Sequence, residues 1–373
     1  MDIEELIKMT KERDASDLIL TAGSPPILRI DKKLVPTKLR ALSAVQIDEL
    51  LIPLMDNERS ERFKKELGLD FIYSISGWGR FRVTVFKQRG STAVTIRRFP
   101  YELPSLEELH LPEASLKYLC GLKNGLALVT GPAGSGKSTT LACMVRIINE
   151  TDELHIITLE DPIEYLFKHG KSVVEQRSIT FDTPSFGSAL KEVLRQSPDV
   201  VVVGEIRDPE TLRYSLRVAE SGILVLATFH TASASDTVVR LINFFPGEEE
   251  QTRLQLSLVL RGVFAQQLIP LQQKQGMVPA WETLIVNERV APIIRAGNVQ
   301  QIDNVIETSS KFGMQSMDQS LIGLYNRKLI SKENLSLRLR RRESEEITKD
   351  EDFLSGKPDS QQRVDSDSYD PNL

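Results

Sequence analysis

The spacing of apolar positions changes about a quarter of the way along the chain. Residues 1–100 mix a helical spacing with short stretches in which every second residue is apolar. From about residue 113, short apolar runs alternate with helical stretches, the order expected of a parallel sheet. After about Pro292 the pattern is helical up to about Arg342. The chain is therefore predicted to have an α/β fold with several domains.

The first hundred residues predict an α+β module. The pattern from Glu4 to Arg13 is that of an amphipathic helix, and the runs 17–20 and 27–30 predict strands on either side of a Gly-Ser-Pro-Pro turn. Alternating residues at 79–86 and 93–98 predict a hairpin. Arginines lie along and around both of its strands, at Arg80, Arg82, Arg89, Arg97 and Arg98.

Four apolar runs predict strands of the later sheet: 126–130, 155–159, 200–203 and 223–228. Prolines at 100 and 104 break regular structure between the two patterns. The predicted organisation is an N-terminal module (1–100), a linker (101–114), a core (115–291), a helical C-terminal subdomain (292–342) and a tail (343–373).

Composition is that of an ordinary globular protein, with 373 residues, 40% of them apolar and 27% charged. Collagen-like, disulfide-framework and wholly disordered classes are excluded. No apolar run approaches the roughly 18–20 residues that span a bilayer, and the acidic N-terminus lacks the order of a signal peptide. A cytoplasmic location is expected. The two cysteines, Cys120 and Cys143, lack the spacing of metal ligands.

Charge is unevenly distributed. The net charge is −5, yet residues 343–373 contain ten acidic and three basic side chains. This tail has almost nothing to bury, so we expect it to be disordered. It follows the basic cluster formed by Arg338, Arg340, Arg341 and Arg342, which is either a solvated helix end or part of a docking tail. The acidic total disfavours a broad nucleic-acid surface.

The strongest motif lies between a predicted strand and a helical stretch. Gly131-Pro132-Ala133-Gly134-Ser135-Gly136-Lys137-Ser138 matches the phosphate-loop pattern G-x-x-x-x-G-K-[ST], and Thr139 follows it. A chance match is on the order of 1%. Glycines let backbone N–H groups face phosphate oxygens, and the helix N-terminus adds a favourable dipole. The motif predicts ATP binding, with Lys137 at the β- and γ-phosphates and Ser138 on Mg²⁺.

Three other segments place polar side chains at the ends of predicted strands, where ligands of α/β proteins bind. One contains Glu160, Asp161 and Glu164, and another places Glu205 just after four valines. The third contains His230, flanked by hydroxyl residues. Glu205 is positioned to orient or activate the attacking water. The alternative for the first segment is that its acidic residues are only solvated. The alternative for the third is that His230 has a structural role. Candidate magnesium ligands are Ser138, Glu160 and Glu205.

Together these four segments resemble the Walker A, Asp-box, atypical Walker B and His-box motifs of the secretion and type IV pilus ATPases. Gly204 stands where the Walker B motif usually has an aspartate. Within that superfamily the chain is similar to the twitching-motility retraction ATPases, the PilT/PilU group. The resemblance extends over about residues 1–342 and also rests on the segments 16–26, 79–82 and 313–321.

Some segments resemble the PilU members of the group more than the PilT members. These are 243–246, 266–270 and the acidic C-terminal extension. PilT proteins usually carry Ala-Ile-Arg-Asn-Leu-Ile-Arg where this chain has Pro292-Ile293-Ile294-Arg295-Ala296-Gly297-Asn298. This departure opens the alternative that the chain is an accessory subunit that boosts a PilT motor.

The resemblance implies a PAS-like α+β module followed by a RecA-like phosphate-loop ATPase domain with a helical C-terminal part. It implies a homohexamer with ATP bound between subunits, working on an inner-membrane pilus platform protein from the cytoplasmic face. Glu205 would be the catalytic glutamate, Glu164 would help order water and His230 would lie near the γ-phosphate. Arg82 and Arg97 are the candidates to reach an ATP, mostly that of a neighbouring subunit. Arg80, Arg89 and Arg98 are the other arginines that this role leaves open, and ordinary surface arginines of a sheet are the alternative.

The sequence leaves other functions open. A mixed complex with a PilT-type ATPase, a secretion or assembly ATPase, and a nucleic-acid translocase are the alternatives to a retraction motor. A translocase would need a basic channel with strongly salt-dependent binding, and no nucleic-acid partner is expected from the charge.

Overall fold

The computed structural model describes residues 2–30, 33–99, 102–273 and 276–340. The chain forms two compact units. The first consists of Met1–Leu103 together with the short segment Ile163–Phe167, and the second contains the rest. The tail predicted at 343–373, and Arg341 and Arg342 of the basic cluster, lie outside the described residues.

The first unit contains a six-stranded antiparallel sheet with strand order β3-β2-β1-β6-β5-β4. The strands are β1 (Asp17–Leu20), β2 (Ile27–Ile30), β3 (Lys33–Pro36), β4 (Gly68–Ile75), β5 (Gly79–Gln88) and β6 (Ser91–Arg98). The helices are α1 (Ile3–Glu12), α2 (Ala44–Leu51) and α3 (Asn57–Glu66).

The local sequence explains where these helices begin and what the sheet buries. Asp2 and Ser43 cap α1 and α2 in capping boxes, each accepting from a backbone N–H of the first turn. Inward-facing apolar residues of β1, β5 and β6, such as Phe81, form the core with α1 and α2. The strands predicted at 17–20 and 27–30 are present and pair with each other, and the predicted hairpin of β5 and β6 is confirmed. The sequence did not indicate β3 or β4.

The second unit contains a seven-stranded sheet with order β13-β12-β7-β11-β10-β8-β9. The six pairings are parallel except that of β12 with β13. The strands are β7 (Gly125–Thr130), β8 (His155–Glu160), β9 (Val173–Ser178), β10 (Val200–Val203), β11 (Leu224–Phe229), β12 (Leu260–Pro270) and β13 (Met277–Ile285). The four predicted strands are the central four, and the sequence analysis missed the outer three.

Helices pack on this sheet and continue beyond it, which confirms the α/β class with a helical C-terminal part. They are α4 (Glu113–Cys120), α5 (Lys137–Thr151), α6 (Phe186–Val193), α7 (Pro209–Glu220), α8 (Ala234–Asn243), α9 (Glu249–Val259), α10 (Val290–Ala296), α11 (Gln301–Thr308), α12 (Met317–Asn326) and α13 (Lys332–Ser336). Every residue of β7, β10 and β11 is buried, as expected for strands covered on both faces.

Strand order fixes where the functional segments meet. Strands β7, β11, β10 and β8 are adjacent and parallel, so their carboxyl ends lie along one edge of the sheet. Gly131, His230, Glu205 and Glu160 are located at these four ends. In the described part of the chain, the helices are all too short or too polar to cross a membrane.

Candidate nucleotide-binding site

A glycine-rich loop joins β7 to α5, and its backbone has the form of a phosphate cradle. Gly131, Gly134 and Gly136 all have positive φ, at 150°, 74° and 87°. Only glycine adopts such values readily, so the loop can turn its N–H groups inward where other residues would be strained. The loop ends at the N-terminus of α5, a 15-residue helix whose dipole favours an anion.

Gln266 of β12 supports the phosphate loop through buried hydrogen bonds. The sequence did not indicate this role. The Gln266 side-chain amide donates to the carbonyl of Ser135 at 2.5 Å and accepts from the Thr140 hydroxyl at 2.7 Å. Gln266 is only 2% exposed. One buried amide thus joins the loop to the first turn of α5 and fixes both against the sheet.

The tightest point of this packing is Gly131. A Cβ added there would lie 2.3 Å from the Gln266 carbonyl oxygen and 2.4 Å from the Ser135 hydroxyl. We expect Gly131→Ala to lower the free energy of unfolding by about 3 kcal/mol, through backbone strain and overpacking together. Urea unfolding of the full chain measures this change.

Gly222→Ala is the matched control for this experiment. Gly222 also has positive φ, at 96°, but an added Cβ there meets nothing within 4 Å. Only the strain remains, so a loss of about 1–2 kcal/mol is expected. Equal losses for the two variants would show that crowding at Gly131 contributes nothing.

Lys137 lies inside the loop. Its ammonium donates to the carbonyls of Gly131 and Pro132 at 2.9 and 3.0 Å and lies 3.3 Å from Nδ1 of His230. Burial lowers the pKa of this amine, and the negative charge of Glu205 opposes that shift. The cation is thus enclosed by acceptors of the site, as a phosphate-neutralising lysine requires.

Glu205 and His230 form one polar chain with Lys137. An ammonium can only donate, so Nδ1 of His230 accepts, and the imidazole proton lies on Nε2, which contacts the Glu205 carboxylate. The other carboxylate oxygen of Glu205 accepts from Arg207 Nε at 2.7 Å. The Arg207 guanidinium also lies 3.6 Å from Asp161. Nothing in the sequence indicated this role for Arg207, although it stands two residues after Glu205.

The remaining candidate magnesium ligands are the exposed hydroxyl of Ser138 and the hydrogen-bonded carboxylate of Glu160. Ser138 is exposed in the first turn of α5. Oε1 of Glu160 accepts from Thr158 at 2.6 Å and from Gln176 at 3.0 Å. Within the described ranges, no cluster of three or more His, Cys, Asp or Glu residues is arranged to hold a metal ion.

Gly204, where the aspartate of a usual Walker B motif is missing, is tightly packed. Its N–H donates to the carbonyl of Leu159 at 2.7 Å, and its own carbonyl accepts from Thr228. A Cβ at this position would lie 3.1 Å from the Leu159 carbonyl oxygen and 3.4 Å from Cα of Glu160. The end of β10 therefore approaches the end of β8 too closely to leave much room for a side chain.

Glu164, Arg82 and Arg97 belong to the first unit. Arg82 and Arg97 face each other directly across β5 and β6. Arg82 pairs with Asp70 at 2.8 Å, and Arg97 pairs with the buried Asp17 at 2.8 Å. Burial raises the pKa of the Glu164 carboxyl, while the charges of Arg97 and Arg82 oppose the rise. The positive charges of both arginines therefore act on the Glu164 carboxyl.

The fold and the loop define a class of protein. A strand, a glycine-rich loop and a helix N-terminus form the cradle, and a lysine, a histidine and a glutamate follow one another at the same sheet edge. The hydroxyl of Ser135 is buried in the loop and has no hydrogen-bond partner among the described residues, a donor that suits a phosphate oxygen. These features are those of a phosphate-loop ATPase.

The chain belongs to the type II/IV secretion system protein family, whose model matches residues 71–347. It is 39% identical over 335 residues to the type IV pilus ATPase PilU of Pseudomonas aeruginosa, covering 90% of this chain and 87% of that protein. It is 40% identical over 335 residues to the type IV pilus retractation ATPase PilT of the same organism, covering 90% and 97%.

A solved structure agrees with these relatives. The crystal structure of the pilus retraction motor PilT with bound ADP matches at a TM-score of 0.87 and 42% identity, over 93% of this chain and 99% of that one. The resemblance to the PilT/PilU group is confirmed, and the chain is an ATPase. The nearly equal identities to PilU and PilT do not separate those two.

Proposed function

We propose that this chain is the ATP-hydrolysing subunit of a homohexameric motor that powers type IV pilus retraction, with PilU-like character. The observation that carries the proposal is the continuous polar chain from Lys137 through His230 to Glu205 beside the phosphate loop. Relatives named as pilus retraction ATPases support the biological setting. Such a motor works in the cytoplasm at the inner face of the inner membrane, against a pilus platform protein.

In the proposed reaction, Glu205 accepts a proton from the attacking water. The water oxygen bonds to the γ-phosphorus while the bond to the β–γ bridging oxygen breaks, and ADP leaves. Lys137 and the loop N–H groups stabilise the charge that develops on the phosphate oxygens. Arg207 and His230 orient the two carboxylate oxygens of Glu205. His230 lies next to Lys137 and so is placed to sense the γ-phosphate.

Magnesium fits the donors at this sheet edge, which are oxygen atoms of the kind it prefers. Ser138, Glu160 and Glu205 are the residues that would hold it, directly or through water. A magnesium ion held there would supply positive charge against the phosphate oxygens. Few protein ligands are needed, because magnesium in ATPase sites is bound mainly by phosphates and water.

Two arginines and a glutamate of the first unit, Arg82, Arg97 and Glu164, are assigned roles toward ATP because of their charge. Arg82 and Arg97 have exposed guanidinium groups, with side chains 41% and 62% exposed. An arginine that reaches the γ-phosphate stabilises the loose transition state and makes hydrolysis depend on domain position. We assign these two arginines to that task, mostly at a neighbouring subunit's ATP, and Glu164 to ordering water.

A second candidate function is that of an accessory subunit in a mixed complex with a PilT-type ATPase. The observation that favours it is the segment 292–298, which differs from the usual PilT sequence. In the structure this segment forms most of α10, where Ile294 is buried and Arg295 donates to Ser257 at 3.3 Å. Its altered residues are thus packed as part of the second unit.

Deleting only this chain and imaging labelled pili on living cells separates the two functions. A required motor predicts long pili that accumulate and do not retract, because extension then has no opposing step. An accessory subunit predicts normal piliation with weakened retraction. Cells without pili would contradict both functions and indicate an assembly ATPase.

A further inference from the structure

A buried carboxylate on β13 bonds the start of α8, next to the loop that carries His230. Glu282 is 2% exposed, and its two oxygens have different partners. Oε1 accepts from the backbone N–H of Ala234, the first residue of α8, at 2.7 Å. Oε2 accepts from Arg340 Nη1 at 2.8 Å. Glu282 therefore joins the start of α8 to the C-terminal end of the described chain.

Arg340 also bonds the loop that carries His230. Its Nη2 donates to the carbonyl of Ala232 at 2.7 Å, and its backbone N–H donates to Asp318 at 3.1 Å. The adjoining cavity, about 240 Å³, is lined by Arg340 and four carboxylates, those of Glu282, Asp303, Glu307 and Asp318. One guanidinium thus offsets an otherwise acidic surface.

This arrangement makes Glu282 depend on Arg340. A buried carboxylate that loses its cation is strongly destabilised, since the remaining charge is neither solvated nor paired. Burial already raises the pKa of Glu282, and the charge of Arg340 opposes that rise. Without the guanidinium, Glu282 is expected to protonate or move, and its bond to Ala234 would weaken.

The loop between these bonds carries His230. Ala232 and Ala234 follow His230 by two and four residues, and the carbonyl of His230 accepts from Arg240 of α8 at 3.0 Å. Anything that shifts the start of α8 therefore shifts the backbone of the histidine. We infer that Glu282 and Arg340 are positioning residues that hold His230 against Lys137 and Glu205. The inference rests on the role proposed for His230.

The test compares ATPase kinetics of full-length variants. Arg340→Ala is expected to lower kcat about tenfold and to leave KM for ATP within about twofold, because the phosphate loop is untouched. Arg340→Lys keeps the charge but not the two-pronged contact, so a smaller loss is expected. Arg338→Ala is the matched control, since the Arg338 guanidinium donates to Asn334, four residues earlier in the chain. It should leave kcat unchanged.

A double-mutant cycle separates positioning from general weakening. If Arg340 acts through His230, Arg340→Ala should lower kcat no further in a His230→Ala background. An equal tenfold loss in both backgrounds, or an Arg340→Ala rate equal to that of the Arg338→Ala control, would overturn the inference. A wild-type rate for His230→Ala alone would contradict the proposed role of His230. Slow His230→Ala with fast Arg340→Ala would contradict only the positioning role.

Discussion

Replacing Lys137 by alanine is expected to abolish ATP binding, and hydrolysis with it. The ammonium lies inside the phosphate loop at the N-terminus of α5 and is bonded to two of the loop's carbonyls. Its loss should weaken ATP affinity at least about tenfold, because one hydrogen bond to a charged group contributes roughly 1.5–3 kcal/mol. Equilibrium binding of a fluorescent ATP analogue measures the change.

Lys191→Ala is the control for lysine loss in general. Lys191 pairs at 2.8 Å with the exposed Glu210, away from the loop. Its removal should leave ATP affinity unchanged. Melting temperatures of both variants show whether each is folded. A folded Lys137→Ala protein that binds ATP as tightly as the wild type would refute the assignment of this loop as the nucleotide site.

Replacing Glu205 by glutamine is expected to preserve ATP binding and remove turnover. Glutamine has the same shape, but its one amide oxygen can accept from only one of the two donors, Arg207 Nε and His230 Nε2. It also cannot accept the proton of the attacking water. A loss in kcat of about a thousandfold is expected, within the range assigned to general bases. Phosphate release under saturating ATP measures turnover, and the binding assay should give an affinity within about threefold of wild type.

Glu192→Gln provides the matched control for this change. Glu192 lies on α6 and makes a partly exposed contact with Arg177 at 3.5 Å. It should hydrolyse ATP at the wild-type rate. Wild-type hydrolysis by Glu205→Gln would show that another group activates the water, and Glu164 would then be the next residue to replace.

The central site could be predicted because its signals are local. The phosphate-loop residues are contiguous in sequence, and the valine run before Glu205 indicates a buried strand without any tertiary information. Parallel neighbouring strands then bring Glu205 and His230 to one edge of the sheet, as the structure confirms. The roles of the individual residues remain predictions.

What the sequence did not indicate depends on polar residues that are buried. Gln266 and Glu282 are each only 2% exposed. From the sequence alone, a polar residue inside an apolar run is expected to lie at the surface. Both are satisfied by partners far along the chain, Thr140 and Arg340, and such pairing has no local signature. For the same reason β12 and β13 escaped prediction. Strand β9 escaped because it is a polar edge strand.

Gly204 has a consequence for how proteins of this kind are recognised. The aspartate usually found at this position is absent, and a comparison of motif letters alone would class the chain as a damaged enzyme. The structure gives another explanation, because a Cβ at position 204 would lie close to the Leu159 carbonyl oxygen. Aspartate at this position would require the ends of β8 and β10 to shift by a few tenths of an ångström. Glycine at this position is thus accounted for by the close packing of the two strand ends, and surveys that search for inactive relatives should weigh strand spacing as well as letters.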